Sequence, residues 1–507
     1  MKPHPRRHID ARPVTLGLAS ACVYLLTAPG VVNGDGLGYL KLLPHNFAAG
    51  HLLYMPLLRA ATRLLGGDGL RVGRLLDACL GGIGVWLTYD IARRVAPLGS
   101  DRRFVATVAA AGLAVSFGYW SASADVEAYA LATVALLALV RISLPYRVDP
   151  SARRALLMGV ALGLAVLTHL THVLACGFVV AVCLADPRGR RQAWSSAALV
   201  LGTGGFLSAT AYAYAAFVVR GHHWEGALRW VLSASHGFVE PASVYSFASS
   251  LYGACRSLTW SPAVEHVGSQ SVLVQGATGL ALLFALVAVT WRQRTVVREL
   301  PLRPLVALAL PYGLFAIAFF GADVERWIFV LPIGWIVVAV ALDATSARAR
   351  WAFSTVASLA AVNLAFGVWP AHRELRDKER AVRAAAVMSD AALLVFPGHA
   401  WDEYVSFYGD GKHLEPFPVS YYLARDGAAR MWSRLDREVG AAQARGHAVY
   451  AMRMLDAREP ASEPAGWVEM QAIGMPRDEL EQQLRARYVV TPVLLSDDVS
   501  VVRLAPR

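Results

Sequence analysis

Stretches of apolar residues long enough to cross a bilayer recur through the first 370 residues of this chain, and arginines fill the gaps between them. A span needs about 20 apolar residues, with about 17–25 typical. On that criterion the sequence predicts eleven membrane helices, roughly 13–31, 72–92, 104–120, 127–144, 155–170, 172–185, 194–219, 270–291, 304–320, 327–343 and 351–369. Charged residues make up 17% of the 507, short of the roughly 25% usual in a soluble domain. The shortfall excludes an ordinary cytosolic enzyme and a disordered chain.

The stretch 155–185 is ambiguous by length. Its 31 residues would make about 46 Å of helix at 1.5 Å per residue, long for one span and short for two. Charge resolves it. With the N-terminus inside, eleven spans put 21 basic residues in the inner loops, among them Arg93, Arg94, Arg102, Arg103, Arg147, Arg153 and Arg154. About nine remain outside before residue 371. A single span at 155–185 would reverse every later loop and expose nine of those inner arginines, against the positive-inside rule. The first span has a charged start but no convincing cleavage site, so it reads as a retained helix rather than a signal peptide.

The chain divides by composition into a transmembrane domain, 1–369, and a soluble domain, 370–507. Residues 1–370 carry 30 basic and 17 acidic groups, whereas 371–507 carry 18 and 20. The basic excess therefore lies between apolar runs, which points to membrane lipid and away from nucleic acid. Eleven spans place the tail outside the cell membrane. Alternating runs at 392–396, 447–452, 488–495 and 499–504 read as strands, and 371–389, 419–444 and 476–486 as helices, giving a small α/β or α+β domain. The five cysteines are scattered without a CxxC pair, so they read as packing residues. Repeats, low-complexity tracts and Walker or GxGxxG motifs are absent from the sequence.

The outer segments hold the residues that could carry chemistry. Asp35 lies in Val32-Asn33-Gly34-Asp35-Gly36, where flanking glycines allow a sharp turn and close approach of a ligand. It could act as a base or hold a sugar or metal; the plainer reading is a turn, since Asp and Gly form turns readily. His51 precedes a proline-interrupted helix at Pro56, in a segment with His45 and Asn46, and a lone His there is also a common buried hydrogen-bonding residue. Asp125 and Glu127 open an apolar span. The helix dipole favours acids there, yet ionisable groups at the membrane edge are functional by default. His169 and His172, three residues apart, can share one helix face; a metal would need a third ligand such as Glu127 or Asp35. His222, His223, Glu225, Arg229 and His236 enrich a later outer loop. Arg326 could clamp a phosphate or pair with Asp323 or Glu325.

Taken in order, these pieces carry a resemblance. Gly-Asp-Gly follows the first span, then His51-Leu52-Leu53-Tyr54-Met55-Pro56-Leu57, then Val126-Glu127-Ala128-Tyr129-Ala130-Leu131, then a Thr168-His169-Leu170-Thr171-His172 motif. This resembles the GT-C superfamily of membrane glycosyltransferases, and within it the DUF2723 group of protein O-mannosyltransferase-like proteins. The resemblance covers residues 13–200 best. It implies a polyprenyl-phosphate-linked sugar donor, transfer on the outer face of the membrane, an essential acid at Asp35, a second acid at Glu127 and a histidine motif at His169. His51 and Pro56 match the family's His-Pro-Pro-Gly-Tyr-Pro-Leu pattern at its His and last Pro, while Leu52–Met55 replace its centre, which marks a divergent branch.

The expected reaction moves a sugar from the lipid-linked donor to an acceptor hydroxyl on a protein Ser/Thr, a glycan or a lipid. Asp35 and Glu127 are the expected catalytic acids. His51, Asp125, His169, His172 and Arg326 are expected to bind substrate. A divalent metal is compatible with this set and not required by it. The competing class is a transporter or flippase of lipid-linked sugars, which would place ionisable groups near mid-span; here they gather at one face.

Overall fold

The computed structural model describes residues 10–43, 49–233, 244–260, 270–295, 302–319, 321, 323–398, 401–409, 411–454, 475–496 and 499–507. His45, Asn46 and His236, together with Lys2, Arg6, Arg7 and Arg298 of the inner-loop count, lie outside the described residues. The chain forms two compact units. The first comprises residues 10–29, 42–260 and 270–372, and the second Gly30–Lys41 with Arg373–Arg507.

The first unit is built of apolar helices whose ends are marked in the sequence. Helix α1 is Arg12–Leu26, α2 (in the second unit) Gly34–Leu42 and α3 Tyr54–Leu65. Helix α4, Gly69–Val95, starts on an Asp68 cap that accepts from the Leu70 N–H and ends on Arg93 and Arg94. Helix α5, Arg102–Val115, starts on Asp101, which accepts from the N–H groups of Arg103 and Phe104. Helix α6 is Phe117–Ala124, α7 Ala128–Val148 and α8 Ala152–Thr168, the last capped by Ser151. Caps of this kind satisfy the first free N–H groups, and arginines at the far end complement the dipole.

Among the described residues, four helical runs can each cross a membrane by length and composition: Gly69–Val95, Ala128–Val148, Arg190–Val219 and Arg348–Val387. The pair α5 and α6 makes a fifth if counted as one broken span. Shorter apolar helices include Arg12–Leu26, Leu331–Asp343 and the segment Leu170–Leu184. Large apolar side chains such as Phe206, Phe284, Trp291 and Phe353 stand exposed on these helices, as lipid-facing surfaces require.

The span expected at 104–120 is not straight. It bends by 63° at Ser116, whose ψ of 128° leaves the helix. The break is held from two sides. The Trp335 Nε1–H donates to Ser116 Oγ at 2.8 Å, and Asn363 Nδ2 donates to the Val115 carbonyl at 2.6 Å and the Leu258 carbonyl at 2.9 Å. Irregular backbone survives in a membrane protein where neighbours satisfy the freed groups. The stretch 155–185 also breaks. Helix α8 stops at Thr168, His169 is extended, a 3₁₀ turn covers Leu170–Ala175, and α9 follows at Cys176–Leu184.

Small residues set the closest helix approaches. Helix α1 packs along α4, and α8 along α10, Arg190–Ala213. A Cβ on Gly82 would stand 2.4 Å from the Gly17 carbonyl oxygen. Gly159 and Gly163 of α8 similarly face the backbone of α10 at Val200 and Gly204. Lipid offers helices no hydrophobic reason to associate, so such close packing supplies much of the attraction.

The second unit has a five-stranded sheet in the order β2-β1-β3-β5-β4. The strands are β1 Ala391–Phe396, β2 His413–Pro418, β3 Ala448–Met452, β4 Tyr488–Leu495 and β5 Ser500–Pro506. Strand β1 runs parallel to β2 and β3, whereas β5 is antiparallel to β3 and β4. Strand β2 escapes the sequence pattern because Pro416 and Pro418 interrupt it; proline is tolerated there because β2 lies at the sheet edge. The helix expected at 419–444 divides at Gly427 into Val419–Asp426 and Ala428–Ala444. Leu393, Val395, Leu435, Val449, Leu480 and Val502 form the core between sheet and helices.

Candidate active site

Glu127 sits where two helices fail to join. Helix α6 ends at Ala124, Asp125 and Glu127 are extended, and Glu127 occupies the cap position of α7. Both carboxylates are buried, at 4% and 2% exposure. Asp125 is engaged by α4: Arg74 Nε lies 3.4 Å from its Oδ1, and Arg74 Nη2 donates to the Pro29 carbonyl at 2.5 Å. Asp125 therefore has an ion-pair partner within the fold.

A third acid lies beneath them. Asp77, fully buried in α4, accepts from the Glu127 backbone N–H at 3.1 Å and from the Tyr54 hydroxyl at 2.5 Å, both at Oδ2. It thereby ties the start of α7 to the start of α3, three residues beyond His51. Sequence reasoning passed over Asp77, although a carboxylate inside the apolar run 72–92 is itself a signal of function.

His51 and His169 meet edge to face, with ring centroids 4.6 Å apart. The backbone enforces this: Leu53 N–H donates to the Leu167 carbonyl at 2.9 Å, and Leu170 N–H to the Gly50 carbonyl at 3.0 Å. Tyr129 lies 5.2 Å from His169 by ring centroid, and Phe329 lies 5.1 Å from His169 and 4.7 Å from His172. The two histidines three residues apart do come together, at 5.8 Å, but through a helix end and a 3₁₀ turn.

Their hydrogen bonds give them different tasks. His172 Nε2 faces the Ala132 carbonyl at 3.0 Å, which can only accept, so Nε2 carries the proton and Nδ1 accepts from the Tyr312 hydroxyl at 2.6 Å. Both nitrogens are thus committed, and His172 is a scaffold residue in this arrangement. His169 Nδ1 accepts from the Thr171 backbone N–H at 3.2 Å. Its Nε2 is buried and has no hydrogen-bond partner among the described residues. That N–H is available to a substrate oxygen.

Arg326 lies on the 3₁₀ turn Val324–Trp327, 3.4 Å from Asp323 Oδ2 through Nε. Its Nη1 donates to the Tyr129 hydroxyl at 3.4 Å, so the guanidinium borders the histidine cluster. A carboxylate oxygen of the adjacent Glu325 lies within 4.8 Å of one from Glu127. Two carboxylates this close, one of them buried, favour a cation between them, and oxygen ligands suit a hard divalent ion. Of the later outer loop, His222 packs against Trp230 with ring centroids 6.1 Å apart, Trp230 in turn lies against Tyr212 beside Leu52 and Leu167, and Arg229 pairs with Glu225 at 3.7 Å.

Asp35 belongs to the second unit. The Gly-Asp-Gly run is the first turn of α2 rather than a free turn: the Asn33 side chain caps it by accepting from the Gly36 N–H at 2.8 Å. Val32 is clasped by two tyrosines, its N–H donating to Tyr408 Oη and its carbonyl accepting from Tyr404 Oη, each at 3.1 Å. Both belong to the helix Trp401–Tyr408. On that helix the Glu403 carboxyl is pushed up to about 7, by burial first and then by the charges of Asp402 and Asp35, with Lys41 opposing. Lys41 Nζ lies 3.6 Å from Asp402 Oδ2. Asp35 itself is exposed.

No family model and no curated protein matches the sequence. Solved structures do match the fold. The apo structure of ArnT from Cupriavidus metallidurans aligns with a TM-score of 0.58 at 16% identity, over 97% of each chain. The same enzyme bound to undecaprenyl phosphate aligns at 0.57 and 15%, over 98% of each chain. The archaeal oligosaccharyltransferase AglB from Archaeoglobus fulgidus, in complex with an inhibitory peptide and a dolichol-phosphate, aligns at 0.53 and 12%. That alignment covers 98% of this chain and 74% of AglB. The fold is therefore the one that these solved structures share. The narrower likeness to the DUF2723 group has no matching family model.

Proposed function

We propose that this chain is a membrane glycosyltransferase that moves a sugar from a polyprenyl-phosphate-linked donor to an acceptor hydroxyl. The observation that carries the reading is the set Glu127, His51, His169, Tyr129 and Arg326, drawn together at one end of α7 within a GT-C fold. The structural relatives were solved with undecaprenyl phosphate or dolichol-phosphate, which supports the donor class. In this proposal the helices cross the membrane eleven times, the N-terminus is cytoplasmic, and residues 370–507 form an extracytoplasmic domain.

The acceptor oxygen attacks the anomeric carbon as the bond from that carbon to the donor phosphate breaks. The electron pair leaves with the phosphate, which stays on its lipid. The hydroxyl proton passes to the Asp35 carboxylate, a general base of modest strength but ample when proton loss accompanies bond formation. Direct attack inverts the anomeric centre. Arg326 neutralises the departing phosphate, in the manner of preorganised charge at a leaving group. The free His169 N–H and Glu127 orient the sugar. A divalent ion held by Glu127 and Glu325 would add positive charge for the phosphate.

The test uses purified full-length protein in nanodiscs with a polyprenyl-phosphate sugar and candidate peptide, glycan and lipid acceptors. Transfer by the wild-type chain that falls at least about a hundredfold in Asp35→Asn supports the assignment. Equal transfer by the variant would sink it. Movement of intact lipid-linked sugar across vesicles without transfer would favour the flippase reading.

A further inference from the structure

A second feature lies at the other end of α7. From Glu127 at its start to Arg147 in its last turn, the 21-residue helix covers about 30 Å, one bilayer core. Here the structure has a cavity of about 960 Å³. Six arginines line it: Arg93 and Arg94 from the end of α4, Arg102 and Arg103 from the start of α5, Arg147 from α7 and Arg154 from α8. One acid, Asp149, shares the lining.

Inner loops need a surplus of basic residues for orientation alone. That bias does not require guanidinium groups from four helix ends to converge on one hollow, where their mutual repulsion opposes folding. Carboxylates relieve part of it. Arg93 pairs with Asp10 at 3.5 Å, Arg94 with Asp90 at 2.8 Å and Arg154 with Asp149 at 2.9 Å. Arg103 shares the field of Asp10. Arg102 and Arg147 have no ion-pair partner among the described residues. Apolar residues share the lining, and among them Val148 is 87% exposed. Exposed aliphatic side chains beside unpaired arginines suit the boundary between headgroups and acyl chains.

We propose that this cavity binds the headgroup of an anionic lipid carrying two phosphates, with Arg102 and Arg147 as its principal partners. Arginine's planar fork matches phosphate oxygens in pairs. Basic pockets between membrane helices on the cytoplasmic side are suited to such headgroups. Three carboxylates against six guanidinium groups leave an excess of positive charge in the cavity, and a headgroup with two phosphates offsets two of those charges. The site stands independently of the transfer reaction, since it is read from the opposite end of the helices.

The experiment is native mass spectrometry of the full-length protein released from nanodiscs of phosphatidylcholine with 10% cardiolipin, the quantity read being about one lipid adduct per chain. Wild type retains cardiolipin over phosphatidylcholine, and Arg102→Gln and Arg147→Gln each reduce that retention about tenfold. Arg153→Gln removes a nearby charge that does not line the cavity and leaves retention unchanged. Equal retention in wild type and both cavity variants overturns the proposal. So does an equal loss in Arg153→Gln, which would mean that only net charge matters. Titration with inorganic pyrophosphate separates the two sources of the same chemistry. Persistence of cardiolipin supports the lipid, and its displacement at micromolar pyrophosphate overturns the lipid assignment. Each single variant is checked for folding by its melting temperature, and Arg→Lys at the same positions, which keeps the charge and loses the fork, is expected to retain an intermediate amount.

Discussion

Asp77 is the residue whose removal should tell most about how the site is held. It is fully buried, and its Oδ2 accepts both the Tyr54 hydroxyl at 2.5 Å and the Glu127 N–H at 3.1 Å. Asp77→Ala strands both donors away from water. An unsatisfied buried group costs about 1–3 kcal/mol, so two cost about 2–6 kcal/mol. Tyr54→Phe removes one bond and leaves Asp77 its contact with Glu127, at about 1 kcal/mol. Asp77→Asn keeps a carbonyl oxygen that can accept both, and its loss should stay nearer 1 kcal/mol. Because Tyr54 and Asp77 share one interaction, the double variant should fall short of the sum by about 0.5–3 kcal/mol. Thermal unfolding in detergent reads these stabilities, and steady-state transfer reads the site. Asp77→Ala at permissive temperature should lower kcat/KM for the donor, since it moves Glu127, which orients the sugar. The Asn variant should recover most of that loss. An alanine variant that melts with wild type and transfers at the wild-type rate would refute the claim that Asp77 positions Glu127.

Three other outcomes are expected. Glu403 has its carboxyl raised to about 7 from an ordinary value of 4.5, so folding favours its neutral form. The stability this provides is complete below about pH 4.5 and is lost as pH rises through 7, by at most about 3 kcal/mol; Glu403→Gln should flatten that dependence in melting curves from pH 4.5 to 8. Gly82→Ala places a Cβ 2.4 Å from the Gly17 carbonyl oxygen, and separating α1 from α4 should cost about 1–3 kcal/mol in detergent stability assays. Arg326→Ala removes the guanidinium that borders Tyr129, and transfer should fall by about 10²–10³ in kcat with little change in melting temperature. Unchanged kcat would separate Arg326 from the reaction.

The readable part of this molecule was local. Hydropathy marks where helices run, while the caps at Asp68, Asp101 and Ser151 start three of them two or three residues ahead of the expected spans, because a cap acts on the N–H groups that precede the apolar run. The break at Ser116 was not readable. It depends on Trp335 and Asn363, which reach it from more than 200 residues away. Strand β2 was hidden by its own prolines, which only its edge position makes tolerable. His169 could be named from its motif. Its role beside His172 could not, since the difference lies in which nitrogen meets a carbonyl on α7.

The sequence by itself determined that this chain lives in a membrane, how its charge is distributed and which polar residues flank its apolar runs. These follow from transfer free energies that each residue carries with it. The tertiary structure alone decided that His51 faces His169, that Asp77 holds Glu127, and that six arginines from four helix ends enclose one cavity. Those pairings arise from helices packed at glycine contacts, where a shift of one methyl group would move the partners out of hydrogen-bond reach.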